Sequence, residues 1–185
     1  MTGGNFQVRE ERSLHAWAMF DLKQRTIASP GGVVFERTHV STPGAVGVVA
    51  FTEDDQVILV RQYRASLGTR ILEIPAGMRD VPGEVPAVTA ARELVEETGY
   101  TATSFVHLGR ILSAPGVTDS VVEIYRADGL ARGDAAPHGP EEDDMEVLLV
   151  PFHDALRMVD GGEITDSKTV VGLLAEDRRR RSTRT

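Results

Sequence analysis

The chain has 185 residues, 41% of them hydrophobic, no cysteine and a formal net charge of −8. That length and apolar content suit one packed domain with a small extension, the acidity argues against a nucleic-acid backbone as partner, and the lack of cysteine excludes disulfides and thiolate metal sites. No long apolar run appears and the N-terminal segment has no hydrophobic signal core, so the expectation is a cytoplasmic protein with no membrane association.

In chain order, residues 1–8 are polar and glycine-bearing. Short apolar groups such as Trp17-Ala18-Met19-Phe20 follow, then the turn Ser29-Pro30-Gly31-Gly32 and the alternating stretch Val33 to Val40. Residues 1–41 therefore read as a small antiparallel sheet, too small to be stable alone, which must pack on the main body or on a second subunit. Ala45 to Phe51 reads as a buried strand. A turn at Thr52–Asp55 returns the chain through Gln56 to Tyr63, and Arg70 to Ile74 is a further short strand running into Pro75-Ala76-Gly77.

The stretch Pro75 to Tyr100 carries the densest chemistry. Pro86 suits a first helical turn, where its missing N–H is not needed, and Gly99 suits the position after a helix, where positive φ is often required. Ala87, Ala90, Ala91 and Leu94 share one side of that helix, while Glu93, Glu96 and Glu97 fall largely on the other. Glu93 and Glu97 are i,i+4 neighbours, a like-charge pair that costs a bare helix roughly 0.2–0.5 kcal/mol. Two readings follow: a solvated acidic face with Arg92 pairing to Glu96, or a site where a hard divalent cation such as Mg²⁺ removes the penalty.

Beyond it, Val106 to Leu112 and Ser120 to Tyr125 read as a strand pair, and Arg126 to Pro140 as an exposed connection. Glu141-Glu142-Asp143-Asp144 is a second acidic cluster. Met145 to Val150 is a strand, Phe152 to Val159 a helix ended by Gly161-Gly162, and Asp166 can cap a last helix through Ala175. Residues 177–185 read as a basic, disordered tail. The domain plan is thus 1–41, 42–176 and 177–185. The five histidines are scattered without metal-ligand spacing.

The run Gly77…Glu84…Arg92-Glu93-Leu94-Val95-Glu96-Glu97-Thr98-Gly99-Tyr100 resembles the Nudix box, a pattern of Gly, five residues, Glu, seven residues, then Arg-Glu-aliphatic-x-Glu-Glu-x-Gly-aliphatic. Two departures exist: six residues separate Gly77 from Glu84, and Tyr100 replaces an aliphatic residue. Over most of its length the chain is similar to actinobacterial ADP-ribose pyrophosphatases of the Nudix family. The resemblance implies an α/β Nudix fold, a mixed β-sheet sandwiched between helices, here with the small N-terminal antiparallel sheet.

The resemblance also implies site roles. Glu93 and Glu97 would hold Mg²⁺ (Mn²⁺ the alternative), with Glu96 a weaker ligand, the carbonyl of Ala76 a further one and Arg92 orienting a box carboxylate. Glu84 is open between a structural role and the metal shell. The cluster Glu141-Glu142-x-Asp144-Met145 matches a loop carrying the catalytic glutamate; Glu142 is the choice for base and metal contact, Glu141 the alternative. Arg37 and Arg64 match arginines that bind substrate, Glu73 matches a glutamate on the adenosine side, and Asp119 lies in a loop beside the site. A homodimer that exchanges its N-terminal sheet is implied. The expected activity is Mg²⁺-dependent hydrolysis of ADP-ribose to AMP and ribose 5-phosphate. The alternatives are another nucleoside diphosphate derivative such as a nucleotide sugar, and a Nudix module that binds ADP-ribose without turnover.

Overall fold

The computed structural model describes residues 5–133 and 144–183. The chain forms two compact units, one of the residues up to Gly44 together with Leu112–Ser120, the other of Ala45–Ile111 and the chain from Val121 onward.

In the first unit β1 (Gln7–Trp17), β2 (Phe20–Ala28) and β3 (Val34–Ser41) form an antiparallel sheet in that order. Ala18, at φ 43°, turns β1 into β2. Gly32, at φ 85°, turns β2 into β3, and its N–H donates to the Ser29 carbonyl at 2.9 Å. β1 is exposed at every position. Asp119 ties Leu112–Ser120 to this sheet: its carboxylate accepts from the Ser41 hydroxyl at 2.7 Å and from the Thr42 N–H at 3.0 Å.

The second unit is the α/β body. β4 (Ala45–Ala50) is central in a mixed sheet, parallel to β10 (Val121–Asp128) and antiparallel to β7 (Ala76–Met78), with β9 (Ser104–Leu112) beyond β10. A second, antiparallel sheet runs β12 (Glu146–Pro151), β5 (Gln56–Arg64), β6 (Thr69–Glu73). The two-residue strands β8 (Tyr100–Thr101) and β11 (Ala131–Arg132) pair with each other. The helices are α1 (Pro86–Thr98), α2 (Phe152–Asp160) and α3 (Ser167–Ser182).

The alternation of β4 builds two cores. Val46, Val48 and Ala50 pack with Ala90 and Leu94 of α1. Val49 and Phe51 pack with Ala155 of α2 and Leu173 of α3. Full burial of a side chain such as Leu94 contributes about 1.5–3 kcal/mol. Gly172 sets how closely α3 lies on β4, since a β-carbon there would sit 2.8 Å from Val49, and Gly47 gives room to Ile74, 3.0 Å from where its β-carbon would be. Asp166 caps α3, accepting from the Thr169 N–H at 2.9 Å, as the sequence suggested. Among the described residues no helix is long and apolar enough to cross a membrane.

One expectation is corrected. Residues 177–182 are not a disordered tail but the last turns of α3. Ion pairs hold them: fully buried Glu176 accepts from Arg126, from Arg179 at 2.7 Å and from Arg180 at 2.7 Å. Arg180 also pairs with Asp55 at 2.7 Å and stacks over Phe51 and Phe152, 4.4 and 4.2 Å from the ring centres. Replacing Glu176 by Ala leaves the half-buried Arg126 and its two neighbours without their shared carboxylate. The expected cost is about 3 kcal/mol, read as a lower urea midpoint; an unchanged midpoint would mean that apolar contacts alone hold this end of the helix.

Candidate active site

α1 begins where the sequence places it, with Pro86 in its first turn, and ends at Gly99, whose φ of 72° lets its N–H reach the Val95 carbonyl at 2.8 Å. Its acidic side is not solvated. Glu93 is 8% exposed and Glu97 5%. The cause is β7, which runs across this face of the helix. The Ala76 N–H donates to Glu97 Oε2 at 2.9 Å, and a β-carbon at Gly77 would fall inside the Glu93 carboxylate. Only glycine permits that approach.

Arg92 gathers the remaining acidic groups. Nη1 lies 2.8 Å from Glu93 and 2.9 Å from Glu96; Nη2 donates to Asp80 at 3.0 Å and lies 3.3 Å from Glu84. Glu84, after the longer loop, therefore meets the box through Arg92. The Arg92 Nε is buried and makes no hydrogen bond among the described residues. Burial pushes the Glu93 carboxyl up to about 7, Arg92 opposing and Glu96 reinforcing the rise.

Could this arrangement hold a cation? Among the described residues no three acidic or imidazole side chains converge as a ready-made cage. A small hard ion such as Mg²⁺ keeps several waters and binds through one or two carboxylates. Glu93 and Glu97 supply those one helical turn apart, and the Ala76–Gly77 backbone lies against them. The donor set is all oxygen, and a cation there would relieve two buried like charges. The residues fit a hard divalent ion.

Arg64 and Glu73 come together on the antiparallel sheet. Arg64 Nε and Nη2 fork onto the two Glu73 oxygens at 2.6 and 2.8 Å. Glu73 is 1% exposed and also accepts from Lys168. Burial pushes its carboxyl up, and the two cations more than reverse the effect. The resemblance places Glu73 on the adenosine side of the site; in the structure its oxygens accept from Arg64 and Lys168. Lys168 was not singled out by the sequence reading. One signal was available: a cation in the first turn of a helix opposes the macrodipole and calls for a carboxylate nearby.

Arg37 and Asp119 lie in the other unit. Arg37 donates to the Glu36 carbonyl at 2.8 Å and stacks on Phe35, 4.7 Å from the ring centre. Burial pushes Asp119 up, and the Ser41 and Thr42 donors bring it below its ordinary value. Glu141 and Glu142 lie outside the described residues. Asp144, at the end of their cluster, pairs with Arg70.

The NUDIX domain family model matches residues 41–170. The chain is 38% identical over 175 residues to an ADP-ribose pyrophosphatase of Mycobacterium tuberculosis, covering 95% of this chain and 84% of the relative. It is 37% identical to an ADP-ribose pyrophosphatase of Bacillus subtilis, covering 84% and 83%. A crystal structure of an ADP compounds hydrolase superposes with a TM-score of 0.86 at 20% identity, covering 99% of this chain and 98% of that one, a likeness of fold.

The raised Glu93 carboxyl has a consequence for metal-free protein. A carboxyl whose folded value exceeds its unfolded one stabilises the fold fully below the unfolded value, and that stability is lost as pH rises through the folded one. Between about pH 4.5 and about pH 7 the chelated wild type should therefore lose stability relative to Glu93→Gln, levelling off above about pH 7. Urea titrations in EDTA measure this; parallel pH profiles for the two proteins would refute it.

Proposed function

The chain belongs to the Nudix family, and from that premise we propose that it hydrolyses the pyrophosphate bond of ADP-ribose, giving AMP and ribose 5-phosphate. The observation that carries the reading is the pair of buried carboxylates, Glu93 and Glu97, held against the Ala76–Gly77 backbone. Its support for this substrate is the identity to two ADP-ribose pyrophosphatases over most of the chain.

Nudix hydrolases generally use divalent metal cations. Mg²⁺, with Mn²⁺ the alternative, would be held by Glu93, Glu97 and the Ala76 carbonyl, with Glu96 nearby, and when bound it supplies charge neutralisation at the phosphates and a more acidic water. Arg92 fixes the Glu93 and Glu96 carboxylates in the right orientation. Glu142, or Glu141 beside it, takes a proton from the attacking water; the new P–O bond forms as the bridging P–O bond breaks, and the departing phosphate carries away the bond's electrons. Arg64 binds a phosphate or ribose oxygen. Arg37 and Asp119 belong to the proposed substrate-binding set, Arg37 serving the partner's site in a homodimer with exchanged N-terminal sheets. The exposure of β1 at every position supports that assembly. The protein is proposed to work in the cytoplasm.

A substrate panel at fixed Mg²⁺ tests the proposal. ADP-ribose should exceed nucleotide sugars and dinucleotides in kcat/KM by at least about tenfold, roughly 1.4 kcal/mol of transition-state binding. Glu93→Gln and Glu97→Gln should each lower kcat by about 10²–10³-fold with the fold intact, since a charge-neutralising cation contributes several kcal/mol. Tight ADP-ribose binding without turnover by the wild type would instead mean a binding module, and near-wild-type turnover by Glu142→Gln would reject it as the base.

A further inference from the structure

Four consecutive residues, Glu73 to Ala76, are fastened between them to four elements, β5, α3, β4 and α1. Glu73 accepts from Arg64 of β5 and from Lys168 of α3. The Ile74 N–H donates to Thr169 Oγ1 of α3 at 2.8 Å. The Pro75 carbonyl accepts from the Val48 N–H at 2.8 Å, and the Ala76 N–H donates to Glu97 of α1 at 2.9 Å. One short segment therefore joins the first turn of α3 to the box carboxylates.

Lys168 stands in an unfavourable place for a cation, the first turn of a helix. Its side chain is 13% exposed and its ammonium lies between Glu73 and Asp166, the latter at 3.1 Å, while its stem passes 3.8 Å from where a β-carbon at Gly47 would lie. Glu73 Oε2 accepts from both Lys168 and Arg64 Nη2, and Oε1 accepts from Arg64 Nε. Two cations thus balance two carboxylates in a cluster whose centre, Glu73, is closed to solvent. Arg64 is its one member that reaches the surface, 38% exposed. Its Nη1 forms no hydrogen bond among the described residues, and the field of Glu97 reaches it.

We propose that Lys168 is a positioning residue for substrate binding: by fixing the Glu73 carboxylate it holds the Arg64 guanidinium with its Nη1 edge presented to a phosphoryl or ribose oxygen of a nucleoside diphosphate substrate. This rests on the reading of the site as one for ADP-ribose. Without the ammonium, Glu73 keeps a single cation and is free to rotate with it, and the Arg64 fork loses its fixed orientation. Lys168 then acts only through Arg64, which separates positioning from a general contribution to folding.

A double-mutant cycle on ADP-ribose binding tests this, measured calorimetrically on the full chain in EDTA so that turnover plays no part. Lys168→Met and Arg64→Ala should each weaken binding about tenfold, the scale of one charge-assisted hydrogen bond. The double variant should bind no more weakly than Arg64→Ala alone. Lys168→Arg, which keeps the charge, should bind within about threefold of wild type. Titration stoichiometry reports the folded fraction of each variant. Additive losses, an unaffected Lys168→Met, or no rescue by arginine would overturn the proposal while leaving the substrate reading standing. A wild type that neither binds nor hydrolyses ADP-ribose would overturn the substrate reading first, and this proposal with it.

Discussion

The backbone of Ala76 and Gly77 lies directly against two carboxylates on α1, and the second unit is arranged around that contact. Glu93 and Glu97 are buried like charges one helical turn apart, an arrangement that costs free energy unless donors or a cation answer it. Among the answers are one N–H from Ala76, the Arg92 guanidinium beside Glu93, and a glycine whose missing side chain gives Glu93 its space. The elevated Glu93 carboxyl expresses the same tension. Two carboxylates and a nearby backbone carbonyl suit a small hard cation, which binds through one or two carboxylates and keeps its remaining ligands as water.

The segment from Glu73 to Ala76, which runs into this backbone, is held from both sides. Helix α1 grips it at Ala76, while α3 grips it at Glu73 and Ile74. Gly172 lets α3 lie close to β4, and the first turn of α3 reaches the end of β6. The far end of the same helix does a separate job, anchoring itself through Glu176 and its arginines. One helix thus carries a site-facing turn and a purely structural terminus, and damage at either end should read out differently.

Much of this was legible in the sequence, and the pattern of what was not is instructive. Local signals held well: Pro86 and Gly99 bounding α1, Asp166 capping α3, and the alternation of β4 each depend on residues a few positions apart. What failed depended on distant partners. Helical spacing places Glu93 and Glu97 on a polar face, but their burial comes from Gly77 on another element. The ion pair between Glu73 and Lys168 was not visible because the two stand 95 residues apart. The arginine-rich end looked like a tail because its partner Asp55 stands 125 positions upstream of Arg180. The extra residue between Gly77 and Glu84 proved tolerable because Glu84 meets the box through the long, adaptable Arg92 side chain.

The central claim is that the close approach of Gly77 to Glu93 shapes a hard-cation site. The direct measurement is Mn²⁺ binding to wild type and Gly77→Ala, followed by calorimetry or by the electron paramagnetic resonance of the free ion, with urea midpoints recorded in parallel. A methyl group at position 77 must displace the Glu93 carboxylate, so Mn²⁺ affinity should fall by about tenfold or more, the scale found when a ligand's supporting contacts are lost. A Gly77→Ala protein that binds Mn²⁺ as tightly as wild type would contradict the account.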